Sequence, residues 1–309
     1  MSFELSCEEI HFTLMPHQRL FWSRDMRASI LRGAFGSILR DIACDPICPG
    51  SRDCRFGAEC AYQRIFAPRT PENATRLSRN QDLPRPFVLV ADDGPNEYVE
   101  PGQTAGFFVR LFGNVIELRP YVEVVFSELI HRGFGPKRVP CEVKVVPSAA
   151  RARSLSLNFS DFGLPTKDLE VSFLTPVALK DRGSEVRVGS QAFGPLVKRT
   201  RDRLSALYHF YSTAQMDQKT ELPWDFVGLG KAAESIVCVQ DKTHWFEQFR
   251  RSSRTGQRHE LGGIVGRAIY RDVPQTLAQL LQLGTVVHVG KHAAFGLGRI
   301  AVSPTARTE

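Results

Sequence analysis

The stretch Gly290-Lys291-His292-Ala293-Ala294-Phe295-Gly296-Leu297-Gly298-Arg299 places three glycines within nine residues, interleaved with Lys291, His292 and Arg299. The apolar run Thr285-Val286-Val287-His288-Val289 precedes it and Ile300-Ala301-Val302 follows, so the local order reads as strand, glycine loop, strand. Glycine tolerates positive φ and lets the backbone approach a ligand closely. Successive free N–H groups beside basic side chains make a cradle for phosphate oxygens. A Walker loop or a dinucleotide fingerprint runs instead from a strand into a helix, and neither GxxxxGKS/T nor GxGxxG occurs. The alternative is a glycine-rich turn that closes a hairpin.

Working outward, the second half of the chain reads as a strand at 169–179 and a helix at 194–211. The helix places Leu196, Val197, Leu204, Leu207, Tyr208 and Tyr211 on one side. Strands follow at 243–252 and 259–270, then a helix at 274–283 and a last strand at 297–302. The first half repeats the plan. A strand covers 9–14, and a helix over 23–42 carries Met26, Ile30, Leu31, Phe35, Ile38 and Leu39 at helical spacing. Strands at 87–90 and 106–112 flank the turn segment 92–96. A second helix over 118–131 ends at Gly133, and a strand covers 139–146. The polar, proline-bounded segment 69–85 reads as a loop, and 148–168 as a linker. Both halves give β-α-β-β-α-β, the split βαβ unit. The expected fold class is α+β, with two tandem ferredoxin-like (RRM-like, βαββαβ) domains. Residues 1–150 form the first, with a cysteine-rich insertion at 44–60. Residues 165–309 form the second, with the glycine-rich loop at 290–298.

A chain of 309 residues, 42% of them hydrophobic, accommodates two cores of this size. The net charge of +7 points to a polyanionic partner, nucleic acid first and acidic membrane second. There is no run of about 20 apolar residues, so no transmembrane helix is expected. The acidic start Met1–Glu9 does not read as a signal peptide. A cytoplasmic location follows as the expectation, with the seven cysteines reduced or metal-bound rather than paired.

Cys44, Cys48, Cys54 and Cys60 have the spacing C-x3-C-x5-C-x5-C. Four thiolates close a tetrahedral zinc site or hold an iron–sulfur cluster, and Pro46, Pro49 and Gly50 permit tight turns between them. The expectation is a structural metal, zinc ahead of iron–sulfur, that orders an insertion with no core of its own. Four thiolates leave no open position for catalysis. The alternative is four separate thiols.

Several motifs occur together and in order: Leu31-Arg32-Gly33-Ala34-Phe35-Gly36, Gly133-Phe134-Gly135-Pro136-Lys137-Arg138, and Phe173-Leu174-Thr175-Pro176 followed by Leu179-Lys180. After them come Arg251-Ser252-Ser253-Arg254-Thr255-Gly256-Gln257, Leu261-Gly262-Gly263-Ile264-Val265-Gly266 and the glycine stretch. In this order the chain resembles the CRISPR-associated RAMP proteins, specifically the endoribonucleases that process precursor CRISPR RNA. The resemblance implies metal-independent cleavage of CRISPR repeat RNA by 2′-hydroxyl attack, leaving a 2′,3′-cyclic phosphate, with no cofactor for catalysis. It implies RNA contacts from the glycine loop through Gly290, Lys291, Phe295, Gly296, Gly298 and Arg299. The four arginines of the preceding basic hairpin, Arg250, Arg251, Arg254 and Arg258, suit phosphates or base edges; the alternative is a solvated hairpin tip. Repeat RNA and other CRISPR effector subunits are the implied partners, with no membrane role.

Cleavage of this kind needs a base near the 2′-hydroxyl and an acid or cation near the leaving 5′-oxygen. Many members of the family carry a histidine in or soon after the first helix. This chain departs from that pattern, since no histidine lies between His17 and His131; Arg24, Arg27, Arg32, Arg40 and the cysteines occupy the region. Three assignments stay open: His17, Tyr62 together with arginines, or His288 and His292 beside the glycine loop. His288 also alternates with Val287 and Val289 and reads equally as a core residue. The alternative function is a non-catalytic RAMP subunit that binds CRISPR RNA and scaffolds an effector complex.

Overall fold

The structure, a computed structural model, describes residues 3–44, 48, 59–69, 83–94, 97–147, 151–157, 168–212, 225–251 and 256–305. Of the residues singled out above, Cys54 and Arg254 lie outside this set, and only the backbone of Arg251 is described. Contacts divide the chain into two units, Leu5–Ser154 with Ala206–Met216, and Leu155–Ser205 with Asp217–Glu309 and Met1–Glu4.

The N-terminal unit runs β1 (Phe3–Pro16), β2 (Leu20–Phe21), α1 (Arg27–Ala43), α2 (Ala61–Ile65), β3 (Phe87–Ala91), β4 (Tyr98–Val99) and β5 (Ala105–Phe112). After β5 come α3 (Arg119–Ser127), α4 (Leu129–Arg132), β6 (Cys141–Val145) and β7 (Arg151–Leu157). Its main sheet has the antiparallel path β3-β5-β1-β6, with β7 also pairing β1. Strand alternation sends Ile10, Phe12 and Leu14 inward. Phe12 lies 4.9 Å from Phe107 of β5 and 5.0 Å from Phe126 of α3, measured between ring centres. Helix α1 buries Leu31, Phe35, Ile38 and Leu39, a stripe at helical spacing, and Phe35 meets Phe87 and Phe126 at 5.3 and 5.6 Å. The helix starts four residues later than its apolar periodicity suggests, because the Ser23 carbonyl first accepts from both Met26 and Arg27 N–H in a turn. The expected linker over 148–168 contains a strand, β7.

The C-terminal unit runs β8 (Leu169–Val177), β9 (Leu179–Asp181), β10 (Ser184–Val186), α5 (Phe193–Tyr211), α6 (Phe226–Glu234), β11 (Cys238–Phe246) and β12 (Phe249–Arg251). It continues with β13 (Arg258–Glu260), β14 (Gly263–Tyr270), α7 (Gln275–Val287) and β15 (Ile300–Pro304). The last turn of α5 groups with the N-terminal unit. The sheet is again antiparallel, with path β11-β14-β8-β15. Each sheet thus lays its four main strands in the spatial order second, third, first, fourth. Val171, Phe173, Leu196, Val197, Ala268, Leu277 and Leu280 fill the core, and Phe193 packs on buried Tyr270 with ring centres 4.7 Å apart.

Two readings of the sequence are corrected here. Thr285-Val286-Val287 is the last turn of α7 and not a strand. The expected strands at 243–252 and 259–270 each break, so that β12 and β13 form a separate two-stranded sheet. Among the described residues no helix is long and apolar enough to cross a membrane.

Candidate functional site

The glycine loop begins where α7 stops. His288 takes φ 60°, outside the helical region, and Arg203 of α5 donates its Nε to the Val287 carbonyl at 2.7 Å, satisfying a helix-end acceptor. The chain then hairpins back on the end of β8. Lys291 N–H donates to Ala178 O at 3.1 Å, and Gly298 N–H donates to Pro176 O at 3.0 Å. Arg299 N–H donates to Thr175 Oγ1 at 3.0 Å. Within the loop, Val289, Phe295 and Gly296 N–H donate to Gly298, His292 and Ala293 carbonyls at 2.8, 2.7 and 3.0 Å. Glycine is required for two reasons. Gly290 and Gly298 sit at φ 82° and 74°, and a Cβ there would lie 2.5 Å from Ala178 O and 2.0 Å from Val289 O. Gly296 also lies in the left-handed region, at φ 77°.

These bonds correct the expected cradle of free N–H groups. The N–H groups of 289, 291, 295, 296, 298 and 299 are spent on holding the loop to the fold. What the loop presents is side chains. Lys291 is exposed, while His292, Phe295 and Arg299 are half-buried. The His292 ring stands edge-on to Phe295 with centroids 5.8 Å apart. His288 is directed inward instead. It is 1% exposed, and its Nδ1 lies 3.1 Å from the Leu297 carbonyl. This position braces the loop and keeps the ring from an RNA on the surface, so the catalytic expectation for His288 is withdrawn.

The basic hairpin meets this loop. β12 and β13 pair Arg250 with His259 and Arg251 with Arg258. Arg250 lies with its Cζ 5.2 Å from the centre of the Phe295 ring, and burial pushes its guanidinium below the usual arginine range. Arg258 is exposed and stacks on Phe249 at 3.7 Å. Arg250 thus joins Phe295 of the glycine loop, beside His292, whereas strand alternation sends Arg258, with Phe249, to the other face of the β12–β13 ribbon. Arg250 is one of the four expected hairpin arginines; its packing on Phe295 was not among the expected contacts.

In the N-terminal unit, His17 is exposed just past β1, where its N–H donates to Pro140 O at 2.9 Å. Tyr62 stacks on Phe66 at 5.5 Å. Two of the α1 arginines are structural. Arg27 donates to the Gly94 carbonyl at 2.9 Å, and Arg32 lies over the Phe66 ring at 4.5 Å. Cys44 caps the end of α1 and Cys60 precedes the first turn of α2. Burial, then the neighbouring Cys60 and Cys48, push the Cys44 thiol up to about 11. The Cys60 thiol points at the Ala43 carbonyl at 3.9 Å. Among the described residues, no group of three His, Cys, Asp or Glu is set to hold a metal.

One constellation escaped the sequence reading. On the sheet face opposite α3, His11 Nε2 lies 3.0 Å from Glu9 Oε2, and Glu9 Oε1 accepts from Arg110 Nε and Nη2 at 3.0 and 2.6 Å. Phe108 lies 5.0 Å from the His11 ring. Alternation along β1, which puts residues 9 and 11 on one face, was the available signal.

Residues 171–300 match the family described as CRISPR-associated endoribonuclease Cas6, and residues 5–158 match a family described as an N-terminal domain. An uncharacterized protein of Archaeoglobus fulgidus is 22% identical over 279 residues, covering 86% of this chain and 88% of that protein. Among solved structures, a Cas6 product complex aligns with TM-score 0.56 at 13% identity, over 96% of this chain and 100% of the other. A chain of a partial Cas6-RT-Cas1–Cas2 complex aligns with TM-score 0.55 at 14% identity, over 99% of this chain and 47% of that one.

Proposed function

We propose that this chain, whose residues 171–300 match the family described as CRISPR-associated endoribonuclease Cas6, is a member of that family, binds CRISPR repeat RNA and cuts it without a catalytic metal. The observation that carries the reading is the contact of the basic hairpin with the glycine loop, through Arg250 and Phe295. A glycine loop fixed to β8 by its own N–H groups presents Lys291, Phe295 and Arg299, and the hairpin arginine Arg250 packs against it. Arginine and lysine side chains meet phosphates and guanine edges, and Phe295 offers a ring face to an unpaired base.

In the proposed reaction a base takes the proton from a ribose 2′-hydroxyl, the 2′-oxygen attacks the adjacent phosphorus, and the bond to the 5′-oxygen breaks. The products are a 2′,3′-cyclic phosphate and a 5′-hydroxyl, which receives a proton from an acid. His17 and, as the alternative assignment, His292 are the candidates for this proton transfer. Lys291 or Arg299 offsets charge on the phosphate. Both sheets have the second-third-first-fourth strand order, which supports two tandem ferredoxin-like domains as the framework. The alignment to a Cas6-RT-Cas1–Cas2 chain supports other CRISPR proteins as further partners.

Cys44, Cys48, Cys54 and Cys60 complete the proposal as a structural thiolate site, zinc ahead of iron–sulfur. The adjacency of the Cys44 and Cys60 thiols at the facing ends of α1 and α2 supports it. Elemental analysis of purified protein is expected to give one metal per chain, lost in Cys44→Ser; a metal-free native protein would remove the site from the proposal.

The test of function is incubation of the protein with a matching repeat RNA in EDTA, followed by mapping of product ends. Cleavage at one position with a cyclic phosphate is the expected result. Tight binding without cleavage assigns the chain to the scaffold role instead, a reading favoured by the absence of histidine between His17 and His131.

A further inference from the structure

Phe21 and Tyr98 form a ring pair that stays nearly half exposed on a ribbon whose other face is sealed. β2 and β4 pair Phe21 with Tyr98 across this ribbon, with ring centroids 5.4 Å apart and planes at 57°. Leu20, Trp22 and Val99 alternate to the inside and are buried, and Trp22 packs on Phe134 at 5.6 Å. The Trp22 N–H donates to Glu97 O at 2.7 Å. The ribbon is therefore anchored, and its geometry holds the two rings outward, where Phe21 is 48% and Tyr98 42% exposed. Arg19 lays its Cζ 4.0 Å above the centre of the Tyr98 ring, while its Nε pairs with Glu100 Oε1 at 3.1 Å. His17, the proton-transfer candidate, and Gln18 are exposed immediately before Arg19.

Exposed ring surface that is rigidly held is ready to be covered, since removing it from water is favourable. The chemistry of the patch selects the partner. The Arg19 charge is already answered by Glu100, so the patch is a poor phosphate clamp. Two flat rings with a guanidinium stacked at one side suit the face of an unpaired nucleobase, which stacks on aromatics and arginine planes alike. We propose that Arg19, Phe21 and Tyr98 form a stacking platform for unpaired nucleotides of the RNA substrate, on the same chain segment as His17. The platform rests on the RNA reading above and adds to it a preference for RNA with single-stranded nucleotides beside the stem.

The experiment uses the full-length protein and two RNAs, the repeat stem alone and the stem with unpaired flanking nucleotides. Affinities of native protein, Tyr98→Ala, Phe21→Ala/Tyr98→Ala and Tyr98→Phe are measured together with melting midpoints. The expected result is binding of flanked RNA weakened about tenfold in the double variant, within the range for loss of a stacked base, with stem binding unchanged and Tyr98→Phe close to native. If the double variant melts early, Tyr98→Ala alone carries the test. Native-like affinity of the variants for flanked RNA, or an equal loss on both RNAs, overturns the platform; the former result leaves the patch to a protein partner. Failure of the native protein to bind either RNA would instead sink the RNA reading, and the platform with it.

Discussion

The guanidinium of Arg250 lies 5.2 Å from the centre of the Phe295 ring, and this contact ties the basic hairpin to the glycine loop. Arg250→Ala removes both a charge and the lid over the ring. RNA affinity is expected to fall about tenfold, a size in keeping with cation–π and phosphate contacts of partly desolvated arginine. Arg250→Lys restores the charge without the planar stacking group, so it is expected to recover the salt dependence of binding but not the full affinity. Equal affinities for native and Arg250→Ala at low and physiological salt would place the RNA elsewhere.

The histidines are expected to separate by kind of defect. Removing a group that transfers a proton costs about 10²–10⁴ in rate. Either His17→Ala or His292→Ala should therefore slow cleavage by at least about a hundredfold, with RNA affinity kept within a few-fold. His288→Ala should instead lower stability by about 1–3 kcal/mol, because the buried Leu297 carbonyl loses its imidazole partner. Single-turnover cleavage and chemical denaturation of the three variants distinguish these outcomes. A His288→Ala protein that melts like the native one but no longer cleaves would reverse the assignment.

The two-fold repetition of elements was legible because each segment carries one period clearly. The α1 stripe of Leu31, Phe35, Ile38 and Leu39 and the alternation of Ile10, Phe12 and Leu14 leave no competing reading. The run Thr285-Val286-Val287 misled because β-branched residues favour strands. Here the apolar face of α7, with Leu280, Leu281 and Val287 buried, extends the helix until His288 turns to positive φ. The breaks between β11 and β12 and between β13 and β14 have no periodic signature. They arise where Leu261 N–H bonds the Gln248 carbonyl and where Gly263 passes so close to Val177 that a Cβ would lie 2.5 Å from its nitrogen. The contacts of Arg250 with Phe295 and of Glu9 with Arg110 join residues distant in sequence, so only the folded chain displays them.

Gly298 is expected to be intolerant of any side chain. Its φ of 74° already costs a non-glycine residue energy, and the added Cβ would stand 2.0 Å from the Val289 carbonyl oxygen, a backbone atom. Gly298→Ala should lower stability by at least about 1–3 kcal/mol and displace Arg299, whose N–H is held by Thr175. Gly256→Ala, at φ 68° but with nothing near the new Cβ, is the milder control. Denaturation midpoints that rank Gly298→Ala above Gly256→Ala would contradict the account of the loop as backbone locked to β8.

Asp241 gives the C-terminal unit an acid-sensitive joint. Burial alone raises its carboxyl, but Thr243 and Ser190 outweigh that by hydrogen bonding, and the net result lies below the usual aspartate value of 3.8. Its Oδ2 accepts from Ser190 N–H at 2.7 Å and its Oδ1 from Thr243 N–H and Oγ1 at 3.0 and 2.6 Å. A folded value below the unfolded one means that the ionised carboxylate stabilises the fold above pH of about 3.8. That contribution is lost as pH falls through the lower folded value. The side chain is exposed, so water screens much of the effect and the contribution is expected to stay below about 1 kcal/mol. Asp241→Asn should therefore be slightly less stable than the native protein at pH 6, and the difference should shrink as both are titrated below pH 4. Denaturation at a series of pH values reads this directly, since other carboxylates cancel in the comparison. A gap that persists unchanged to pH 2 would mean that the side chain acts through its shape and not through its charge.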